Sequence, residues 1–361
     1  MADTTVAAGL TVEQWDDKFY TEYFQENLFK PDMGTSKNSI IQVKEDLKTK
    51  RGQTINFALV NRMTGAGVTG STTLEGSEEE VESRSFKLSV IKRRNAFRVA
   101  ESDEQFSSID LREAGKEVLM DWAQENTRDR IITELGSING VAYATATETQ
   151  KDAWLVDNAD RCLFGAAKGN NSSNDHSLSL ANIDNTADKF TSSAASLMKR
   201  MALTANPKIR PVRSGSTGRR YYCVYVPSLV FRDLKADATI TAAQRDVGLR
   251  MQNEKLFKGG DIEWDGMIFK EIDDIAVLSG VGAGGIDVAP VYLCGAQAIG
   301  YGIAKRWNTV TEEFDYGDKH GVAVQEFGNF AKLTFGSGSG DTDDLKDHGI
   351  VTGFFASVAD A

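Results

Sequence analysis

The sequence of 361 residues has few of the features that mark secretion, membrane insertion or metal chemistry, with three cysteines, three histidines and five prolines. Cys162, Cys223 and Cys294 are far apart and have apolar neighbours, so we expect buried free thiols in a reducing compartment. No apolar run reaches the length of about 18 residues that a membrane-spanning helix needs. The N-terminus lacks a basic start and a long apolar stretch, and it predicts no secretory signal.

A catalytic or cofactor site is also missing from the sequence patterns. His176, His320 and His348 are scattered through polar segments, without a spacing for metal ligation. The glycine-rich stretch 280–285 lacks the lysine of a phosphate-binding loop, and no serine nucleophile motif lies at a strand-to-helix turn. We therefore predict no enzyme activity, no cofactor and no metal. The alternative is a soluble α/β enzyme whose site does not follow a known motif.

Positive charge is in deficit. Lysine and arginine together number 41, against 52 aspartates and glutamates, which gives a formal net charge of −11. Tight binding to nucleic acid relies on an excess of lysine and arginine at the phosphates. The overall charge therefore predicts no tight binding to nucleic acid.

The sequence does contain a long hairpin, predicted over residues 54–99 and leading directly into a long helix. Apolar residues alternate with polar ones in both arms, at Ile55, Phe57 and Leu59 and again at Phe86, Leu88 and Val90. Between the arms lies a tip rich in glycine, serine and threonine. An isolated two-stranded hairpin is only marginally stable in water. We therefore expect its apolar face to pack against another subunit.

The charges of this hairpin are segregated by sign. Five acidic residues lie near the tip, namely Glu75, Glu78, Glu79, Glu80 and Glu82. Four basic residues lie at the base, namely Lys92, Arg93, Arg94 and Arg98. The two sets are either ordinary solvated charges or complementary surfaces that bring the tip of one subunit onto the base of the next.

Residues 1–52 are predicted to form an arm. Trp15, Phe19 and Tyr23 recur every four residues, which indicates a short amphipathic helix. The segment after this helix is polar. We expect the aromatic face to be buried against an adjacent subunit.

Further along, the longest helix is predicted over 110–135, with Asp110 as its cap and Gly136 as a left-handed terminator. The asparagine- and serine-rich segment 139–184 is expected to form loops at the surface or at a subunit edge. A second helix is predicted over 186–203.

A second lobe of mixed helices and strands is predicted after this helix. It includes a buried strand at 221–226 and a hairpin that turns at Asp265 and Gly266. A last strand is expected near the C-terminal end of the sequence.

Several stretches, taken together and in order, carry a resemblance to a known family: FALVNRMTGAGVTGSTTLEGSEEEVES, then TANPKIRPVR with YYCVYVPSLVFRDLK, then LCGAQAIGYGIAKRW, then FDYGDKHGVA. They resemble the tailed-phage major capsid family typified by coliphage N-four. The resemblance extends from about Arg51 to Phe335. It implies an α+β chain with the HK97-type major capsid fold.

The resemblance also implies a division of the chain. The expected parts are an N-terminal arm at 1–52, an extended E-loop hairpin at 53–99, a P domain at 100–205 with a spine helix at 110–135, an A domain at 206–325, and a return to the P domain at 326–361.

A member of this family would be a structural protein of the virion that assembles with itself into the hexamers and pentamers of an icosahedral shell. The shell would enclose double-stranded DNA without binding it specifically, and it would form in the cytoplasm of the bacterial host. The implied partners are a portal protein and, as optional components, scaffolding or decoration proteins; no membrane is involved. A non-viral compartment shell of the same fold is the second alternative.

Overall fold

The structure is a computed structural model, which describes residues 28–48, 52–60, 63, 65, 67–71, 73–75, 78–79, 83–107, 109–213, 218–243, 257–258, 261–337 and 341–358. The chain divides into two compact units. Unit 1 contains Ile91–Arg128 and Lys305–Gly328. Unit 2 contains the described parts of Phe29–Val90, Asp129–Ala304 and Asn329–Ala361.

In chain order the helices and strands are β1 (Met33–Gly34), β2 (Ile41–Lys44), β3 (Thr54–Val60), β4 (Ser83–Ser89), β5 (Ile91–Ala100), α1 (Glu101–Phe106), α2 (Leu111–Leu135), α3 (Glu148–Asp157), β6 (Cys162–Phe164), α4 (His176–Ala181), α5 (Ser192–Thr204), β7 (Val212–Arg213), β8 (Arg220–Val226), α6 (Ser228–Ala236), β9 (Phe257–Lys258), β10 (Asp261–Trp264), β11 (Met267–Glu271), β12 (Val288–Cys294), β13 (Ile299–Phe314), β14 (Lys319–Lys332), β15 (Thr334–Ser337), β16 (Asp343–Asp347) and β17 (Ile350–Ala356). Short 3-10 turns connect some of them.

A mixed sheet forms the centre of unit 2. Its strands follow the order β6, β17, β12, β8, β11, β10, β9, and β7 pairs with β8. Strands β8 and β11 are parallel, whereas β12 is antiparallel to both β8 and β17. Every residue of β12 and β17 is buried. Apolar residues of α5 and α6 join this core, as expected for a mixed α/β lobe.

The long helix α2 begins as predicted. The Asp110 carboxylate accepts hydrogen bonds from the backbone N–H groups of Arg112 and Glu113, at 3.0 and 3.1 Å. The predicted left-handed terminator is not observed at the end of α2, because Gly136 does not have a positive φ. A Cβ at Gly136 would lie 2.8 Å from the hydroxyl of Tyr292, so glycine is needed there for close packing.

The segment 139–184 was predicted to form surface loops, and this prediction is wrong. It contains α3, β6 and α4, and it buries Trp154, Phe164 and His176. The imidazole of His176 lies between the Tyr143 hydroxyl at 3.1 Å and a Glu148 carboxylate oxygen at 3.3 Å. Several polar residues of the segment 139–184 cap helices and close turns around this buried group.

Predictions of the second helix, of the turn at Asp265 and of the buried cysteines are confirmed. The second helix is present as α5, which begins at Ser192, later than predicted; its Met198 and Met201 are buried, as is Phe190 just before it. Asp265 and Gly266 both have positive φ in the tight turn between β10 and β11. All three cysteines are buried and free. None of the described helices is long and apolar enough to cross a membrane.

A buried polar cluster joins β14, β16 and α3 in unit 2. Lys332 Nζ lies 2.9 Å from Asp347 Oδ2, and both side chains are 2% exposed. The indole N–H of Trp154 donates to the same oxygen at 3.2 Å. Burial of a charge costs free energy unless it is paired, so each of the two ions requires the other.

His348, next to this cluster, should make the stability of unit 2 sensitive to acid. Its imidazole is half-buried, and desolvation, reinforced by the charge of Arg161, lowers its pKa from 6.5 to about 4. Between these values the unfolded chain binds a proton that the folded chain does not. We expect this contribution to stability to be complete above pH 6.5 and to be lost as the pH falls to 4, by at most about 3 kcal/mol.

Urea denaturation at pH 7 and pH 4.5 tests this expectation on the wild type and on His348→Gln. The loss of unfolding free energy should be smaller in the variant, which has no imidazole to protonate. Equal losses in the two proteins would contradict the assignment.

Candidate assembly surfaces

The base of the hairpin formed by β3 and β4 belongs to the core of its own subunit. Ile55, Phe57 and Leu88 are at most 3% exposed and pack with Leu333. Two glycines of β13 leave room for them. A Cβ at Gly300 would lie 2.9 Å from the Phe57 ring, and one at Gly302 would lie 3.0 Å from both Ile55 and Leu88. The expectation that this apolar face packs against another subunit is therefore wrong for the base.

Substitution of Phe57 by alanine should destabilise the isolated subunit. Removal of a fully buried aromatic ring typically costs about 3–5 kcal/mol, because the cavity is only partly refilled. Val60 lies in the same strand but is 64% exposed, so Val60→Ala should change the unfolding free energy by about 0.5 kcal/mol or less. Chemical denaturation measures both. Equal small effects would show that the base does not contribute to the core.

Asp341, which precedes β16, holds β4 by a second contact. Its carboxylate accepts hydrogen bonds from the backbone N–H of Ser85 at 2.8 Å and from the Ser85 hydroxyl at 3.1 Å. The Arg84 guanidinium lies 3.7 Å away. The N–H of Ser85 is the main cause of the lowered pKa of Asp341. The proximal part of the hairpin is thus fixed from two sides.

The distal hairpin has a different character. Val60, Met63 and Leu74 are each more than half exposed. The sequence predicted the acidic side chains of this region, but it did not single out these apolar ones. The sequence could have indicated Val60, because this apolar residue occupies a position of β3 that alternates with the buried ones. None of these three side chains is part of the core around Leu333.

The predicted acidic residues differ in their surroundings. Glu75 and Glu78 are exposed. Glu79 accepts a hydrogen bond from the backbone N–H of Gly65 at 2.7 Å, so it stabilises the tip itself. Glu80 and Glu82 lie outside the described residues, as do Trp15, Phe19 and Tyr23 of the predicted arm.

The predicted basic residues lie on β5, which pairs with β14 in unit 1 from Ile91 opposite Gly328 to Ala100 opposite Lys319. The prediction that the returning arm of the hairpin leads directly into a helix is therefore wrong. The hairpin ends at Ser89, and β5 enters another sheet. The physical reason is the change of partner, because Ile91–Ala100 pairs with β14, whereas β4 pairs with β3.

Three of the four basic side chains are accessible. The ammonium group of Lys92 lies 5.2 Å from the centre of the Phe327 ring, and the guanidinium of Arg98 lies 5.9 Å from that of Phe314. Arg94 is exposed.

Arg93 is half-buried and stands opposite Glu326, which is fully buried. A buried carboxylate needs compensation by positive charge or hydrogen bonds. The contact of Arg93 with another subunit stays a prediction, while the register also gives this side chain a neighbour within its own sheet.

A groove in unit 1 runs beside these basic residues. It has a volume of about 530 Å³ and is lined by Arg94, Asn95, Ala96, Phe97, Arg98, Val310, Glu312, Phe314, Gly321, Val322 and Ala323. Gly321 keeps it open next to Phe314, since a Cβ there would lie 2.7 Å from the ring. The groove combines an apolar floor with two arginines at its edge. With Glu312 as its one acidic residue, the lining has a net positive charge, which suits an apolar and acidic segment.

Comparisons with known proteins agree with a structural role. A family model described as phage capsid protein matches residues 3–358. The major capsid protein of Pseudomonas phage KPP25 is 27% identical over 97% of both chains. The capsid asymmetric unit of cyanophage Pam1 is 29% identical, with a TM-score of 0.87 and full coverage of both chains. The capsid of Ralstonia phage GP4 has the same fold, with 20% identity, a TM-score of 0.77 and full coverage of both chains.

The match to the family model covers nearly the whole chain, and the structural neighbours share one α+β architecture. The chain therefore belongs to the phage capsid protein family, as a major capsid protein with the HK97-type fold and a structural, non-enzymatic role.

Proposed function

We propose that this chain assembles with itself into the hexamers and pentamers of an icosahedral shell that encloses the double-stranded DNA of a tailed phage. One observation carries the proposal. The hairpin is fixed in its own subunit at the base, yet farther out it exposes the apolar residues Val60, Met63 and Leu74 and the acidic residues Glu75 and Glu78. Exposed apolar surface of this kind usually marks a contact with another protein.

The partner surface of the tip is the groove and basic edge of unit 1 in a neighbouring copy. Leu74 would enter the apolar floor between Phe97 and Phe314. Glu75 and Glu78 would meet the accessible cations Lys92, Arg94 and Arg98. The same pair of surfaces is present on every copy, so head-to-tail contacts repeat around a closed ring. The charge complementarity orients the subunits as they meet.

The arm at 1–52 contributes a second contact. Its aromatic residues Trp15, Phe19 and Tyr23 bury against an adjacent copy. We expect Trp15→Ala combined with Phe19→Ala to weaken assembly, measured by light scattering, while the melting temperature of the isolated subunit changes little. Equal losses in both measurements would place the arm in the core of its own subunit.

Further parts of the proposal rest on the family. The chain groups with the capsid proteins of the coliphage N-four type and assembles in the cytoplasm of its bacterial host. A portal protein joins the shell, and scaffolding or decoration proteins are the other candidate partners. The divisions into an arm, an E-loop hairpin, a P domain, an A domain and a return to the P domain are kept as proposed boundaries at 52, 99, 205 and 325.

Electron microscopy and sedimentation velocity of the purified protein test the proposal. Closed shells of uniform diameter are the expected result. Discrete small oligomers would instead favour a soluble protein, and shells that hold protein cargo but no DNA when isolated from infected cells would favour a compartment shell of the same fold.

A further inference from the structure

A second cavity, in unit 2, combines an apolar floor with a rim of positive charge. It has a volume of about 450 Å³ and lies between the C-terminal half of α5, the segment that enters β7, and the start of β8. Four cationic side chains line it, namely Lys199, Lys208, Arg210 and Arg220. Leu203, Ile209 and Tyr222 contribute apolar surface. None of these residues belongs to the hairpin or to the groove of unit 1 described above.

The positive charge extends beyond the cavity. From Lys208 to Arg220 the chain contains five basic residues and no acidic one, although the protein as a whole carries −11. Lys208, Arg210 and Arg220 are exposed, as are Arg213 and Arg219. No residue in the described part of the chain forms an ion pair with any of these five. Lys199 is different, because its ammonium group lies 2.8 Å from an Asp265 carboxylate oxygen.

One pair of these cations is placed unfavourably for the subunit alone. Arg213 of β7 and Arg220 of β8 stand directly opposite each other in the strand ladder. Like charges at such positions lower the stability of a sheet. A bound anion would remove this repulsion, since it would share the two positive charges.

The backbone that carries the cations is held in place. The Tyr222 hydroxyl donates to the carbonyl of Ile209 at 2.9 Å, and Ile209 N–H donates to the carbonyl of Ala202 at 3.0 Å. The carbonyl of Arg210 accepts from Ala296 N–H at 2.8 Å. Lys208 and Arg210 therefore project from a fixed segment, which lowers the ordering cost of binding a ligand.

We propose that this cavity and its rim bind phosphate groups, with the backbone of nucleic acid as their source. Guanidinium groups hold phosphate oxygens through paired N–H bonds. A ligand that satisfies five clustered cations needs a high density of negative charge, and each strand of DNA carries one charge about every 3.4 Å. An acidic peptide strand is less dense, with side chains on one face only about every 6.6 Å. The net charge of −11 does not forbid this site, because charges farther than about 10 Å are largely screened at 0.1 M salt.

Fluorescence anisotropy of a labelled 20-base-pair duplex with the unassembled full-length chain tests the proposal. We expect a Kd of about 10⁻⁴ to 10⁻⁶ M near 0.1 M salt. The logarithm of the affinity should fall with the logarithm of salt concentration with a slope of about −4.5, as expected for five phosphate contacts. The double variant Arg210→Glu with Arg220→Glu should bind at least tenfold more weakly.

The control is Lys168→Glu with Lys305→Glu, which changes the net charge by the same amount at exposed cations elsewhere. It should change the affinity no more than about twofold, and both variants should melt like the wild type. Binding of inorganic tripolyphosphate in isothermal titration calorimetry, lost when Arg210 and Arg220 are replaced by glutamate and found without duplex binding, would support a phosphate site with a free polyphosphate as its source. The proposal would be overturned if neither the duplex nor tripolyphosphate bound, or if the two variants lost the same share of the affinity. So would binding of a peptide of residues 73–83 in place of the phosphates.

Discussion

Reversal of charge at the hairpin tip should abolish shell formation. The variant replaces Glu75, Glu78 and Glu80 by lysine, so that three attractive contacts with the basic edge of the next copy become repulsive. Each exposed pair is worth only about 0.2–1 kcal/mol, but the contact repeats at every subunit of the shell. Electron microscopy should show no closed particles, while the isolated subunit should keep its melting temperature.

Restored assembly after compensating substitutions at the basic edge would be the most informative result. Reversal of Lys92, Arg94 and Arg98 to glutamate in the same chain should restore part of the assembly, because opposite charges then face each other again. Damage to folding would not be repaired by further substitutions. Arg93 is left unchanged, since Arg93→Glu would place a like charge opposite the buried Glu326 and should destabilise the subunit. If the combined variant assembles no better than the tip variant, the two surfaces do not touch.

Deletion of residues 64–77 should separate assembly from folding. The deleted segment is distal to the core formed by Ile55, Phe57 and Leu88, so the shortened chain should remain folded and soluble. It should nevertheless fail to close shells, because it has lost Leu74 and Glu75. Circular dichroism melts and sedimentation velocity measure the two properties on one preparation.

The matched control for the deletion is Phe57→Ala, which affects the base of the same hairpin. That variant should melt at a lower temperature, whereas the deletion should not. A deletion that unfolds the subunit would mean that the tip is part of its own core. Closed shells formed by the deletion variant would show that the tip is not needed for assembly.

Local sequence patterns predicted the elements that depend on residues close together in the chain. The alternation of apolar residues gave both arms of the hairpin, and Asp110 gave the start of α2. The turn at Asp265 and Gly266 followed from two residues with an established preference for positive φ. Such signals act between neighbours in the chain, so they can be detected without knowledge of the fold.

The burial of the hairpin base could not be predicted in this way. It depends on Gly300 and Gly302, which are distant in sequence and have no side chains that would clash with Phe57 or Leu88. The role of Arg93 depends likewise on the register between β5 and β14, which places Glu326 opposite it. Strand register over such distances is set by the packing of the whole sheet.

Polar composition was misleading in the segment 139–184. Thr147 caps α3 through the backbone N–H of Gln150, and Asp175 caps α4 through that of Leu178. Asp188 accepts hydrogen bonds from the backbone N–H groups of Ala166 and Asp184. These residues stabilise helix ends and turns, so a high polar content did not mean a lack of regular structure.

Cysteine cross-linking in assembled particles tests the central claim most directly. The variant carries Glu78→Cys at the tip and Arg94→Cys at the basic edge, and the three native cysteines are buried and should not react. After mild oxidation, a non-reducing gel should show a ladder of covalent oligomers that disappears with reductant. Each single-cysteine variant should form no oligomer larger than a dimer. Only monomers from intact shells of the double variant would contradict the proposed contact between the hairpin tip and the next subunit.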